Sequence, residues 1–277
     1  MTFLCPLCEH PLTLNQNTYA CINRHQFDVA KEGYVNLMPV QHKRSKDPGD
    51  NKEMTQARRR FLHTGHYAPM REKVAKLCQT YLTGRQQTLL DIGCGEGYYT
   101  DFFAKALRQQ DSEAQILGID ISKIAIRYAA KRYAAKRYPE CQFAVASSHR
   151  LPFANQSLDG VIRIYAPCKD TELERCIKIG GIVITVTPAA RHLYQFKQGI
   201  YDQVRLHEEQ PETLSGFELV EECKLHYPMA LNGSEAADLL QMTPFAWRAS
   251  EDFKHRVSQS DTFECEADFM LRVYRRK

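Results

Sequence analysis

Leu89-Leu90-Asp91-Ile92-Gly93-Cys94-Gly95-Glu96-Gly97-Tyr98-Tyr99 is the stretch that decides how this chain folds. Its apolar start reads as a buried strand, Gly93-x-Gly95-x-Gly97 as a turn, and the residues from Tyr98 onward as the start of a helix. Three glycines in five positions let the backbone approach a ligand closely, and the first N–H groups of the helix point into the same space. The next apolar run, Ile116-Leu117-Gly118-Ile119, ends in Asp120. A carboxylate at the tip of a second strand, about 20 residues past the glycines, suits the two hydroxyls of a nucleoside ribose. The loop departs from the G-x-G-x-x-G form that cradles a pyrophosphate, so a dinucleotide is the competing reading. A turn serving only strand-to-helix packing would leave Asp120 unexplained.

Working outward, apolar runs at residues 89–92, 116–119, 143–145, 158–164 and 182–187 alternate with helical stretches, which predicts a doubly wound parallel sheet. Residues 262–271 alternate as an antiparallel closing strand should. Ligands of such sheets bind at the carboxyl ends of the strands. That rule nominates Glu96, Gly97, Asp120, Ser147, Ser148 and the run from Tyr165 to Cys168, with Ser147 and Ser148 where an adenine would be held. Asp159, at the start of a strand, is expected to be structural.

With 277 residues the chain has room for one large α/β domain and a small appendage. No apolar run approaches the roughly 18 residues of a membrane span, and the N-terminus has neither a basic leader nor an apolar core. Ten cysteines without a leader indicate reduced thiols, some of them metal ligands, and a cytoplasmic location. The net charge is only +4, but it is unevenly spread. Residues 41–60 carry seven basic side chains (Lys43, Arg44, Lys46, Lys52, Arg58, Arg59, Arg60) against three acids. Residues 122–138 carry six against none. Such concentration marks a polyanion-binding face, or for the second segment a solvated helix face.

Near the N-terminus, Cys5-x2-Cys8 and Cys21-x3-His25 are separated by twelve residues. Three thiolates and an imidazole on two tight turns are a tetrahedral zinc set, and four protein ligands leave no open position for catalysis. His10 falls outside both pairs. A module of about 35 residues cannot bury enough apolar surface to fold alone, so the metal is expected to be structural. The polar, basic stretch that follows reads as a linker. Boundaries are therefore expected at 1–40 for the zinc module, 41–60 for a basic linker and 61–277 for the sheet domain. Phe27 and Tyr34 are candidates for base stacking, or for the module's own core.

The Asp91 to Tyr99 loop resembles the first motif of class I S-adenosylmethionine-dependent methyltransferases, in which the glycines pass under the methionyl part of the cofactor. Most of the chain resembles the bacterial 23S ribosomal RNA guanine-N1-methyltransferases. The resemblance is carried by Cys5…His25-Gln26-Phe27-Asp28, residues 31–37, Lys43-Arg44-Ser45, residues 146–153, Ile164-Tyr165-Ala166-Pro167-Cys168 and Met242-Thr243-Pro244-Phe245-Ala246-Trp247. It implies a zinc domain, a class I methyltransferase domain, S-adenosyl-L-methionine as cofactor, methylation of a guanine in a hairpin of 23S ribosomal RNA, and a homodimer. By the same resemblance Tyr67 and His192 would line the cofactor pocket, packing being the alternative for both. One departure is visible: a five-residue unit is repeated across residues 128–138.

Expected cofactor residues are thus Tyr67, Asp91, Gly93, Gly95, Glu96, Gly97, Asp120, Ser147, Ser148 and His192. Expected RNA residues are Lys43, Arg44, Lys46, Arg58, Arg59, Arg60, Tyr165 and Trp247, the last either stacked on the base or buried. The residues do not identify a general base. Cys168 invites a covalent mechanism but lacks a partner motif. The competing functions are methylation of another RNA or of a small molecule, and non-catalytic RNA binding.

Overall fold

The computed structural model describes residues 3–39, 51–134 and 141–277. Its N-terminal part is a three-stranded antiparallel ribbon of β1 (Thr13–Asn15), β2 (Thr18–Ala20) and β3 (Gln26–Asp28). The next strand, β4 (Val35–Asn36), leaves the ribbon and pairs in parallel with β7 (Cys141–Val145) at the edge of the large sheet. The ribbon also packs on the large domain. The Phe3 and Phe153 ring centroids are 5.7 Å apart, and the Leu4 N–H donates to the Pro152 carbonyl at 2.9 Å. Phe3, Cys5 and Leu12 consequently share one apolar cluster with Leu90, Ile92 and Phe153. Tyr34 is buried and Phe27 half-buried, so both serve packing, and Tyr34 is not placed for base stacking.

The large sheet contains β5 (Thr88–Ile92), β6 (Gln115–Asp120), β7, β8 (Leu158–Ile164), β9 (Ile177–Pro188), β10 (Phe217–Leu231) and β11 (Phe263–Arg276). Its order is β10-β11-β9-β8-β5-β6-β7-β4. Strands β5 to β9 pair in parallel, and β11 lies antiparallel between β9 and β10. The expected doubly wound sheet is present, with all five apolar runs in parallel strands and the closing strand within β11. From β5 the chain moves to β6 and β7 on one side and to β8 and β9 on the other, which opens a crevice at the carboxyl ends of β5 and β8.

The helices are α1 (Lys52–Thr64), α2 (Ala68–Tyr81), α3 (Tyr98–Arg108), α4 (Lys123–Ala134), α5 (Asp170–Cys176), α6 (Tyr194–Ile200), α7 (Gly233–Gln241) and α8 (Glu251–Ser258). Helix α1 begins inside the stretch read as a linker. The Asn51 side chain caps it by accepting from the Met54 N–H at 2.8 Å, and Gly65 ends it at φ 89°. Ala57, Phe61 and Leu62 bury its apolar face, while its many arginines suggested a solvated segment in the sequence. Lys43, Arg44 and Lys46 lie outside the described residues, as do residues 135–138 of the repeated unit. Asp159 accepts from the Thr88 N–H at 2.8 Å and pairs with Lys178, a structural position as expected.

Candidate functional site

The turn after β5 lies at the mouth of the crevice. Gly93 and Gly95 adopt φ 71° and 56°, a region that side chains with a Cβ rarely enter. A Cβ on Gly93 would sit 2.7 Å from the Ala166 Cβ, so the segment after β8 rests directly on this loop. A Cβ on Gly95 would meet nothing within 4 Å, which makes that side of the loop open. Gly97, at φ 78°, is the residue that admits the chain into α3.

Asp120 ends β6 beside this opening. Its Oδ2 accepts from the Gly95 N–H at 3.0 Å and its Oδ1 from the Ser122 N–H at 2.7 Å. Each carboxylate oxygen offers two lone pairs, so these backbone donors orient the group without exhausting it. Asp91 is placed differently: it is buried beneath the loop, where the Thr100 hydroxyl donates to its Oδ2 at 2.6 Å. Burial raises its pKa to about 7, with Thr100 opposing the rise and Asp120 adding to it. It braces α3 and does not face the opening. Glu96 is also buried, with its carboxylate 3.4 Å from Arg59 and 3.7 Å from His63, both on α1.

Ser147 and Ser148 follow β7 and are half-buried. The Ser147 hydroxyl accepts from the His149 N–H at 3.1 Å, and the Ser148 carbonyl lies 3.1 Å from the Cys168 thiol. Burial pushes that thiol up to about 12, so no thiolate is present for covalent addition.

Between α1 and α4 lies a cavity of about 630 Å³ lined by Gln56, Arg59, Arg60, His63 and Tyr128. The three arginines read together in the sequence point to different partners. Arg58 donates to the Met242 carbonyl at 3.1 Å and Arg60 to both oxygens of Asp238, so these two clamp α1 against α7 and the turn after it. Arg59 stands over the Tyr128 ring at 5.0 Å. Trp247 is 72% exposed on the 3-10 turn Pro244–Trp247, so it is not a core residue.

A second group of aromatic side chains packs around Phe269 of β11. Tyr67, just before α2, packs edge-on against Phe61 and Phe269 at 5.0 and 5.1 Å. His192 lies 4.8 Å from Phe269 and 6.3 Å from Tyr67. Its Nδ1 accepts from the Asp268 N–H at 3.2 Å, and its Nε2 is 3.4 Å from the Tyr165 hydroxyl. Burial, with His207 and Lys197 nearby, lowers the imidazole pKa to about 3. Tyr165 itself has φ 57°, a strained value for a residue with a side chain. Phe269 and Asp268 were not singled out in the sequence; they sit in a strand whose face could be assigned only once β11 was seen between β9 and β10.

The Cys5, Cys8, Cys21 and His25 donor atoms all lie within 4.8 Å of one another. A tetrahedral zinc with bonds of about 2.3 Å to sulfur and about 2.0 Å to nitrogen sets donor-to-donor edges of about 3.5–3.8 Å. Observed edges are 3.6 Å for Cys8 to Cys21, 3.4 Å for Cys5 to His25 and 3.5 Å for Cys21 to His25. The donor set fits the ion in both chemistry and size. His10 stands apart, bonded to the Cys8 carbonyl at 2.9 Å.

Comparison with known proteins decides the family. A methyltransferase-domain model matches residues 84–239, and a zinc-ribbon model described as RlmA, N-terminal, matches residues 3–46. The 23S rRNA (guanine(748)-N(1))-methyltransferase of Streptomyces fradiae is 31% identical over 255 residues, covering 90% of this chain and 86% of that protein. This chain belongs to the 23S rRNA (guanine-N1)-methyltransferase family. The YxjB protein of Bacillus subtilis (strain 168), provisionally named for a 23S rRNA (guanine-N(1)-)-methyltransferase, is 30% identical and covers 90% of this chain and 88% of its own length. Among solved structures, the YcgJ protein of Bacillus subtilis aligns at TM-score 0.48 and 17% identity, covering 74% of this chain and 99% of that one. The methyltransferase therefore takes S-adenosylmethionine as cofactor and carries a structural zinc. The open flank of Gly95 next to the oriented Asp120 carboxylate is the kind of cradle that a ribose-bearing cofactor needs. Among the described residues, no helix is long and apolar enough to cross a membrane.

Proposed function

We propose that this protein methylates N1 of a guanosine in a hairpin of 23S ribosomal RNA, working in the cytoplasm as a homodimer. The observation that carries the reading is the crevice. A glycine loop and an oriented carboxylate stand on one side of it, and a strained Tyr165 turn rests against the loop on the other. The family's zinc ribbon supports an RNA substrate over a small metabolite, because a metabolite enzyme has little use for it.

Bound S-adenosylmethionine supplies an electrophilic methyl group with its own leaving group. Asp120 would accept the ribose hydroxyls, the backbone at Gly93, Gly95 and Gly97 would make room for the methionyl part, and Ser147 and Ser148 would border the adenine. Tyr67, just before α2, and His192, in the loop after β9, would back the pocket. Asp91 braces the loop from below, and Glu96, within the loop, ties it to Arg59 and His63 of α1; neither acts on the cofactor directly. Cys5, Cys8, Cys21 and His25 hold the zinc. Tyr165 and the backbone of Ala166 and Pro167 meet the edge of the base, which must leave its stack to reach this depth. Trp247, largely exposed, is available to stack on an unpaired base. Arg59 and the basic segment containing Lys43, Arg44 and Lys46 meet phosphates, whereas Arg58 and Arg60 contribute chiefly by holding α1.

The test is labelled methyl transfer from S-adenosylmethionine to 23S ribosomal RNA, run beside a panel of metabolites, with mass mapping of the modified nucleoside. N1-methylguanosine at one site is the expected product. Label on a metabolite alone, or on another nucleoside, overturns the reading. Sedimentation of the protein at micromolar concentration tests the dimer, for which a monomeric mass is the contrary result.

A further inference from the structure

Guanine N1 carries a proton and must lose it before its electron pair can attack a methyl group. The negative charge then spreads onto O6. Nothing in the motifs names the residue that assists this step, but the Tyr165 and His192 pair does. This inference rests on the guanine-N1 reading above.

The His192 Nδ1 accepts from the Asp268 N–H, which can only donate, so the proton of the neutral ring is on Nε2. That Nε2–H faces the Tyr165 hydroxyl at 3.4 Å. A phenol has one proton to give and two lone pairs. With one pair occupied by His192, the Tyr165 O–H is turned away from the buried imidazole and toward the crevice. The turn that carries it rests on the glycine loop, through Ala166 against Gly93, and so borders the place where the methionyl part of the cofactor would be held. We propose that Tyr165, aimed by the fixed Nε2–H of His192, donates a hydrogen bond to O6 of the target guanine and stabilises the charge that N1 deprotonation puts there.

The electrostatics agree. Burial keeps His192 neutral, and its one ring lone pair, on Nδ1, is taken by the Asp268 N–H, so the ring is not the base. Tyr165 as a residue is 45% exposed, yet its hydroxyl reaches a buried histidine, and it is the surroundings of the hydroxyl that matter for its ionisation. Loss of water there, with Tyr67, Tyr99, Tyr227 and Asp268 nearby, raises the phenol well above its ordinary value. Tyr165 therefore stays a donor. His207 and Lys197 are the further titratable neighbours of His192. In the reaction the N1–H bond breaks and its proton passes to water. The N1 pair forms the new N–CH3 bond, and the pair of the broken S–CH3 bond remains on sulfur as a neutral thioether. O6 returns to an uncharged carbonyl.

The full-length protein with 23S ribosomal RNA and saturating cofactor tests this. Removing one donor from an oxyanion site costs about 10²-fold or more in kcat. Tyr165→Phe is expected to lose kcat on that scale, with KM for RNA and affinity for S-adenosylhomocysteine little changed. Its kcat should also go on rising with pH beyond the point where the wild type levels off, because O6 no longer lowers the N1 pKa. His192 is a positioning residue: His192→Gln, which keeps an N–H at similar reach, should retain more kcat than His192→Ala. Nitrogen NMR of histidine-labelled protein without RNA should report His192 as the Nε2–H tautomer at pH 7. Wild-type kcat and pH profile in Tyr165→Phe, a loss confined to KM or cofactor affinity, or an Nδ1–H tautomer would each overturn the proposal. A wild-type protein that methylates no guanine N1 overturns the functional reading itself, and the O6 role with it.

Discussion

Asp91 and Asp120 lie on neighbouring strands, Asp120 two residues beyond Asp91's register partner Gly118, and do opposite things. Both belong to the motif that announced the site, and residue type alone could not separate them. Backbone geometry does: Asp120 is oriented by two N–H donors at the opening, whereas Asp91 is sealed below with Thr100. The folded Asp91 titrates at about 7 against an ordinary 3.8, so between those values the folded chain holds a proton that the unfolded chain releases. Stability from this group is therefore present below the ordinary value and lost as pH rises through about 7. Asp91→Asn keeps an acceptor for Thr100 without the charge. It is expected to raise the melting temperature of the cofactor-free protein at pH 8 by several degrees and to change little at pH 4. An equal drop at both values would show that packing, not charge, governs the position.

At the scale of elements, the buried parallel strands were legible because continuous apolar runs can hardly be anything else once helices separate them. Strand β10 was not, since it lies at the sheet edge and exposes Glu218, Glu222 and Lys224. Helix α1 was hidden by its arginines, which look solvated in sequence but clamp α7 in space. Arg60→Ala should accordingly lower stability by about 0.5–1 kcal/mol, the range for well-formed surface pairs, and leave RNA affinity near the wild-type value. A large loss of RNA affinity with unchanged stability would return Arg60 to the RNA interface.

The zinc knuckle was fully legible from spacing, but its attachment was not, because a two-residue strand such as β4 has no signature. Cys5→Ser should abolish zinc in metal analysis and unfold the ribbon. Since β4 and Phe3 tie the ribbon to the large domain, some thermal stability should go with it. RNA binding should weaken more than cofactor binding. Unchanged RNA affinity in zinc-free protein would contradict the ribbon's role.

For the molecule as a whole, the uneven charge of the sequence acquires a location. Arg59 and His63 on α1 and Tyr128 on α4 line one open cavity that adjoins the cofactor loop through Glu96. A polyanion approaching that face would be drawn toward the chemistry, and its binding must release counterions. Affinity for the RNA hairpin is therefore expected to fall at least about tenfold between 50 and 200 mM salt, while affinity for the cofactor barely moves. A flat response for RNA would separate the basic residues from substrate binding.

All of this depends on a ribose-bearing cofactor lying across the ends of β5 and β6 with its sugar on Asp120. Calorimetric titration of wild type and Asp120→Ala with S-adenosylhomocysteine tests that most directly. The account predicts saturable binding by the wild type and, in a variant with an unchanged melting curve, no detectable binding. Equal affinity in the two proteins would contradict it.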